Sequence, residues 1–219
     1  LRDESKKWAE EAAGSVDKPK LSHVGLLGAG TMGASLAKVM IDKGLTVRLK
    51  DVSPEALSKG LKTAHDLIKK DLKRKKINQR EADAIFARLT PTTDYSGFKH
   101  ADVVIEAILE DLDLKRRVFK DLENACSPET ILATNTSSLR LKDIVTALDK
   151  PERFIGIHFF NPPHKMQLVE IVTIDSTNDR AIAGAVALVH KLGKTPVVVK
   201  DCPGFLVNRL LTPYMNEAG

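Results

Sequence analysis

The chain has 219 residues, 42% apolar and 29% charged, which is an ordinary globular composition with enough length for one well-cored α/β domain and a little more. No apolar run approaches the ~18 residues a membrane helix needs, the charged opening stretch is no secretory signal, and two cysteines, Cys126 and Cys202, are too few for a disulfide framework or a cysteine zinc site. The net charge of +5 is local: residues 50–80 hold ten Lys/Arg against four Asp/Glu, and a basic segment on a near-neutral body points to an anionic small ligand more than to nucleic acid.

Residues 1–20 read as a linker from an upstream domain, and a chain that opens on Leu1 rather than Met reads as a piece of a longer protein. From Leu21 the apolar rhythm begins, and strands and helices alternate. His23–Leu27 is an expected strand, Thr31–Lys43 a helix, and Leu45–Leu49 a second strand. Ser53 as N-cap and Pro54 in the first turn start a long helix to Ile77, with another over Gln79–Arg88. Then come a strand at Asp102–Ala107, a helix at Leu112–Ala125, a strand at Thr130–Thr134 and a helix at Leu141–Leu148. Strands at Phe154–Phe160 and Leu168–Ile174, a helix at Ala181–Leu192 and a strand at Pro196–Lys200 follow. Helical stretches between strands predict βαβ units and a mostly parallel sheet. After Pro203 the pattern changes. Phe205–Gly219 reads as the opening of a second, helical part, with Phe205, Leu206, Leu210 and Leu211 as an exposed apolar face.

Gly28-Ala29-Gly30-Thr31-Met32-Gly33 is a G-x-G-x-x-G placed after an expected strand and at the start of an expected helix, the context that gives this motif its meaning. Gly28 permits the tight turn, Gly30 lets a pyrophosphate approach the backbone, and Gly33 allows close helix–strand packing. Thr31 and Met32 lie where the helix N-terminus offers free N–H groups to phosphate. Asp51, at the end of the second strand, suits the adenosine ribose hydroxyls and repels a 2′-phosphate, so NAD is the expected cofactor. A structural turn with an incidental acid is the competing reading. The expected fold is a Rossmann-type doubly wound sheet over residues 21–201, with a helical excursion after the second strand.

Where such a cofactor serves to oxidise an alcohol, a base must take the hydroxyl proton and donors must hold the oxygen. His158 is the best base, because an ordinary imidazole titrates near ~6.5. It ends a strand that delivers it to the cofactor crevice. Glu170 sits on the next strand, where a carboxylate on one ring nitrogen would orient the imidazole and stabilise its charged form. Ser137 follows a strand in a polar turn, where Ser137 and Ser138 compete to cap the next helix. No metal site is expected.

Five segments occur in order: Glu106-Ala-Ile-Leu-Glu110-Asp-Leu-Asp-Leu-Lys115, Asn135-Thr-Ser-Ser138, His158-Phe-Phe-Asn-Pro162, Met166-Gln-Leu-Val-Glu170 and Asp201-Cys-Pro-Gly-Phe-Leu-Val-Asn208-Arg209. As a set they resemble the L-3-hydroxyacyl-CoA dehydrogenases of fatty-acid β-oxidation, over roughly Leu21 to Ala218. Val47-Arg-Leu-Lys-Asp51 and Gly193-Lys-Thr-Pro-Val-Val-Val-Lys-Asp201 look most like the dehydrogenase part of a multifunctional α subunit, in which an enoyl-CoA hydratase domain comes first. The resemblance implies that Ser137 and Asn208 hold the substrate oxygen, leaving Ser138 as the cap of the next helix, with Asn161 a further polar contact. It implies that Glu110 and Lys115 line the nicotinamide-ribose side, against the plainer reading of a helix-start acid and a surface lysine. It implies an all-α C-terminal domain, of which residues 202–219 are the truncated start. A homodimer or multienzyme complex is the expected state of the full-length parent, in the bacterial cytoplasm or mitochondrial matrix.

Six of the eight residues Lys69–Lys76 are basic. Most of these side chains read as a solvated helix face. The resemblance singles out Arg74, and next Lys73, as contacts to CoA phosphates. Interleaved aromatics, which single-stranded nucleic acid would require, are lacking there. The expected reaction is NAD-dependent oxidation of an L-3-hydroxyacyl-CoA to the 3-ketoacyl-CoA. A β-hydroxyacid dehydrogenase acting on a non-CoA acid, or a non-catalytic NAD-binding protein, are the alternatives.

Overall fold

The structure, a computed structural model, describes residues 21–211. The linker expected over residues 1–20, and residues 212–219, lie outside that range. Strand β1 (His23–Leu27) is followed by α1 (Thr31–Asp42), β2 (Thr46–Lys50), α2 (Pro54–Lys73), α3 (Gln79–Phe86), β3 (Leu89–Thr92) and β4 (Val103–Glu106). The second half contains α4 (Leu112–Ala125), β5 (Ile131–Thr134), α5 (Leu141–Ile144), β6 (Phe154–Phe159), β7 (Leu168–Thr173), α6 (Asp179–Lys191) and β8 (Thr195–Lys200). All eight strands form one sheet in the order β3-β2-β1-β4-β5-β6-β7-β8. Every neighbouring pair is parallel except β6 and β7. This is the expected doubly wound, mostly parallel sheet, with α2 and α3 as the helical excursion after the second strand.

The inner strands are apolar on both sides because helices cover both faces. On one face Leu36, Met40 and Ile41 of α1 join Leu188 and Val189 of α6 in a core with Leu26, Leu49 and Ile157. On the other, Phe119 and Leu122 of α4 pack with Phe98, Leu132 and Phe154. The Phe119 and Phe154 rings meet edge to face at 4.9 Å. Helix starts follow their capping chemistry. The Ser53 hydroxyl accepts from the Ala56 N–H at 3.1 Å with Pro54 in the first turn. Asn78 and Glu81 form a reciprocal capping box, and Asp111 and Asn178 cap α4 and α6.

Four expectations are corrected. Helix α2 stops at Lys73 rather than Ile77, because Lys75 turns to φ 55 before Asn78 caps the next helix. Strand β3 was not expected; it is a four-residue edge strand, LTPT, where Pro91 weakens the pattern but is tolerated at an edge. The helix expected over Leu141–Leu148 is one α-helical turn followed by a 3-10 turn, Val145–Ala147, and its N-cap is Arg140, not Ser138. The chain stays in a turn through Leu206 and is helical over residues 207–211, with Phe205 at φ 50 and buried rather than exposed. Leu206, Leu210 and Leu211 are exposed as expected.

Candidate active site

The glycine loop joins β1 to α1 where the strand order reverses between β1 and β4, the place where open α/β sheets bind ligands. Gly28 has φ 95, and a Cβ there would lie 2.3 Å from the Ala107 carbonyl oxygen. A Cβ on Gly33 would lie 1.8 Å from the Gly28 carbonyl oxygen, so only glycine lets α1 sit this close to the loop. Gly30 differs: a Cβ would meet nothing within 4 Å. It is the N-cap of α1 and places no side chain over the helix's free N–H groups. A cleft of about 460 Å³ opens there, lined by Gly28, Gly30, Thr31, Met32 and Asp51, with Val52 and Leu109 as exposed apolar lips. Asp51 also braces the loop: its carboxylate accepts from the Ala29 N–H at 2.8 Å and the Ser53 N–H at 3.2 Å. These features fit a dinucleotide, with open backbone donors for phosphate, an acid for ribose and apolar walls for a base.

The antiparallel pairing of β6 and β7 puts His158 directly opposite Glu170. Imidazole Nδ1 and carboxylate Oε2 are 2.7 Å apart, and both side chains are buried. The other oxygen, Oε1, accepts the Leu206 and Val207 N–H groups at 2.9 and 2.8 Å. Burial alone would raise the Glu170 carboxyl, but the His158 contact and these N–H donors hold it below the usual carboxylate range. Phe160 and Phe205 flank the imidazole at ring distances of 4.5 and 5.7 Å. Ser137 lies just beyond β5 and Asn161 just beyond β6, both exposed at the edge where these parallel strands end. Asn208 is partly buried in the helical turn whose entry Glu170 holds.

Glu110 and Lys115 meet in one network, and Lys115 is not a surface residue. Its Nζ lies 2.5 Å from Glu106 and 3.2 Å from Glu110, with the side chain 1% exposed. Glu106, fully buried, also accepts from the Thr134 hydroxyl at 2.7 Å and the Ile108 N–H at 2.8 Å. Glu110 accepts from the hydroxyls of Thr136 and Ser138. So Ser138 binds Glu110 instead of capping a helix. Burial opposes ionisation of Glu110, yet Thr136, Lys115 and Ser138 together bring it down to about 2. Sequence reasoning missed Glu106 and Phe205 as parts of the site. Both stand in quoted motifs, and an acid in an otherwise apolar strand was the available signal.

A second cleft, about 670 Å³, runs along the end of α2 and is lined by Lys70, Arg74, Lys76, His164 and Lys165, with Lys38, Asp42 and Asp71 at its base. Arg74 lines this basic cleft. Lys73 is exposed and does not line it.

Residues 23–202 match the family described as "3-hydroxyacyl-CoA dehydrogenase, NAD binding domain". The chain belongs to that family. Its dinucleotide is NAD, in agreement with the glycine loop and Asp51. The fatty acid oxidation complex subunit alpha of Shewanella amazonensis is 45% identical over 210 residues, 95% of this chain and 30% of that protein. The chain thus spans about a third of the length of the curated relatives it matches. Among solved structures, 3-hydroxybutyryl-CoA dehydrogenase from Escherichia coli is 38% identical with a TM-score of 0.88, covering 91% of this chain and 42% of that one. The (S)-3-hydroxybutyryl-CoA dehydrogenase from Ralstonia eutropha matches with the same identity, TM-score and share of this chain, and 70% of its own.

Proposed function

We propose that this chain forms the dehydrogenase core of an enzyme that oxidises L-3-hydroxyacyl-CoA to 3-ketoacyl-CoA, within a bacterial fatty acid oxidation complex. The observation that carries this reading is the buried His158–Glu170 contact between β6 and β7, in the same sheet that carries the glycine loop after β1. With Nδ1 engaged by Glu170, Nε2 is the nitrogen left to take the proton of the 3-hydroxyl. Glu170 fixes the ring orientation and stabilises the imidazolium that results. Ser137, Asn161 and Asn208 supply polar groups to hold the substrate oxygen and position the acyl group. Gly28, Gly30, Thr31, Met32, Gly33 and Asp51 hold NAD, with Glu110 and Lys115 on its nicotinamide-ribose side. Held there, NAD would supply the acceptor for the hydride that leaves the hydroxyl-bearing carbon.

The basic cleft favours a CoA ester over a small non-CoA acid, because Arg74, Lys70, Lys76 and Lys165 surround a space suited to phosphates. The names of the bacterial relatives support assembly in a multienzyme complex, and their bacterial sources favour the bacterial cytoplasm over the mitochondrial matrix as its place. In the full-length enzyme, His158→Ala is expected to lower turnover of acetoacetyl-CoA and NADH by about 10²–10⁴-fold, the usual scale for losing a general base. NADH affinity, followed by fluorescence, stays unchanged. Near-normal turnover in this variant rules the mechanism out.

A further inference from the structure

The turn between α6 and β8 carries a buried lysine that the proposed chemistry does not use. Gly193, at φ 73, ends the helix, and Lys194 follows with 8% exposure. Its Nζ lies 2.6 Å from the Pro163 carbonyl oxygen and 2.6 Å from that of Met166. Both partners are backbone carbonyls rather than carboxylates. Burial, with Lys43 nearby, lowers the pKa of the Lys194 ammonium. A buried ammonium is unfavourable unless its donors are engaged, and here two of its three make charge-assisted bonds. What those bonds hold is a single loop.

That loop, residues 161–167, makes up all but Phe160 of the connection between β6 and β7. The Pro162 carbonyl accepts from the Lys165 and Met166 N–H groups at 2.9 and 3.1 Å, so the loop closes into one tight turn. The Thr195 N–H donates to Gln167 at 2.9 Å, and residues 194 and 195 together clip three of its carbonyls. One end of the loop is Asn161, three residues after His158; the other leads into β7 and Glu170. Its outer side presents His164 and Lys165 to the basic cleft beside Arg74. Both side chains are exposed, so the backbone of the loop, not core packing, sets where they stand.

We propose that Lys194 is a positioning residue for substrate recognition: by clamping the loop it places His164 and Lys165 as one wall of the anion-binding cleft, at a set distance from His158. This rests on the assignment of that cleft to the CoA moiety. It makes loop placement, rather than the α2 lysines alone, a determinant of affinity for the CoA ester.

The test compares acetoacetyl-CoA with its N-acetylcysteamine thioester, which lacks the nucleotide and its phosphates, in the full-length enzyme carrying Lys194→Met. KM for the CoA ester is expected to rise about tenfold, within the range a displacement of about 1 Å can produce. The kcat/KM of the short thioester and the affinity for NADH stay within about twofold, and Lys194→Arg, which keeps charge and donors, recovers most of the loss. If Lys194→Met does not fold, Lys194→Gln, which keeps one donor group, takes its place with a smaller rise in the same direction. An unchanged KM for the CoA ester, or an equal rise for both esters, overturns the proposal. Arg74→Ala separates the two levels. If it raises the CoA-ester KM and the Lys194 variants do not, only the role of Lys194 falls. If it changes nothing, the assignment of the cleft falls and the proposal with it.

Discussion

Asp51 does two jobs with one carboxylate. It accepts from the Ala29 N–H in the glycine loop, and it stands at the cleft where the ribose of NAD is proposed to lie. Asp51→Ala is therefore expected to weaken NADH binding by about 1–2 kcal/mol, the scale of a lost hydrogen bond to a charged group, and to erode discrimination against NADPH. Fluorescence titration with both nucleotides checks this, and equal affinity of the unmutated protein for both removes Asp51 from that role. The acids of the site also set a pH limit. Glu110 and Glu170 both have carboxyls held below their ordinary 4.5, Glu110 at about 2. Their contribution is fully present above about 4.5 and is lost as pH falls through the lowered values. Unfolding in urea from pH 5 to pH 2.5 is expected to show a flatter acid loss in Glu170→Gln than in the parent protein. Identical slopes would mean that Glu170 is not stabilised in its charged form.

At the scale of elements, the Glu106–Lys115 pair ties α4 to the ends of β4 and β5 through one buried ammonium and one buried carboxylate. Removing one partner of such a pair strands the other charge, so Lys115→Met is expected to destabilise the domain by about 3–5 kcal/mol. A denaturant midpoint close to that of the parent protein would contradict it. The same logic explains why α2 sits where it does. A Cβ on Gly60 would lie 2.7 Å from the Ala29 carbonyl oxygen, so the glycine is what lets the basic helix rest against the nucleotide loop. Two binding regions, one for each proposed ligand, thus share a single helix, with Asp51 near its start and Arg74 at its end.

For the whole molecule, the cleft at the end of α2 carries a net positive charge, with Lys38, Lys70, Arg74, Lys76 and Lys165 against Asp42 and Asp71. Exposed charges at such distances are screened over about 8 Å at physiological ionic strength. KM for acetoacetyl-CoA is therefore expected to rise steadily between 20 and about 300 mM salt, while that of the N-acetylcysteamine thioester stays flat. A parallel rise for both esters would place the phosphates elsewhere. Among the described residues no helix is long and apolar enough to cross a membrane.

The residue pattern by itself determined the succession of elements, the glycine loop and the acid at the end of β2, because caps, periodicity and turn residues act over a few positions. His23–Leu27 and Leu112–Ala125 have the boundaries their local signals predict. His158 and Glu170 could be named from their motifs, but not their contact. Only the antiparallel turn of β7, in an otherwise parallel sheet, sets them face to face, and strand direction is decided by long-range pairing. The plainer reading of Lys115 as a surface lysine stayed open in the sequence because helical spacing does not record which acids converge from β4 and its following loop. Ser138 looked like a cap because its nearest competitor, Glu110, is 28 residues away in sequence. Phe205 looked exposed until a left-handed turn folded it against the imidazole. Each of these outcomes depends on groups brought together by the sheet, so the chemistry of the site was written in the residues while its geometry arose from their packing.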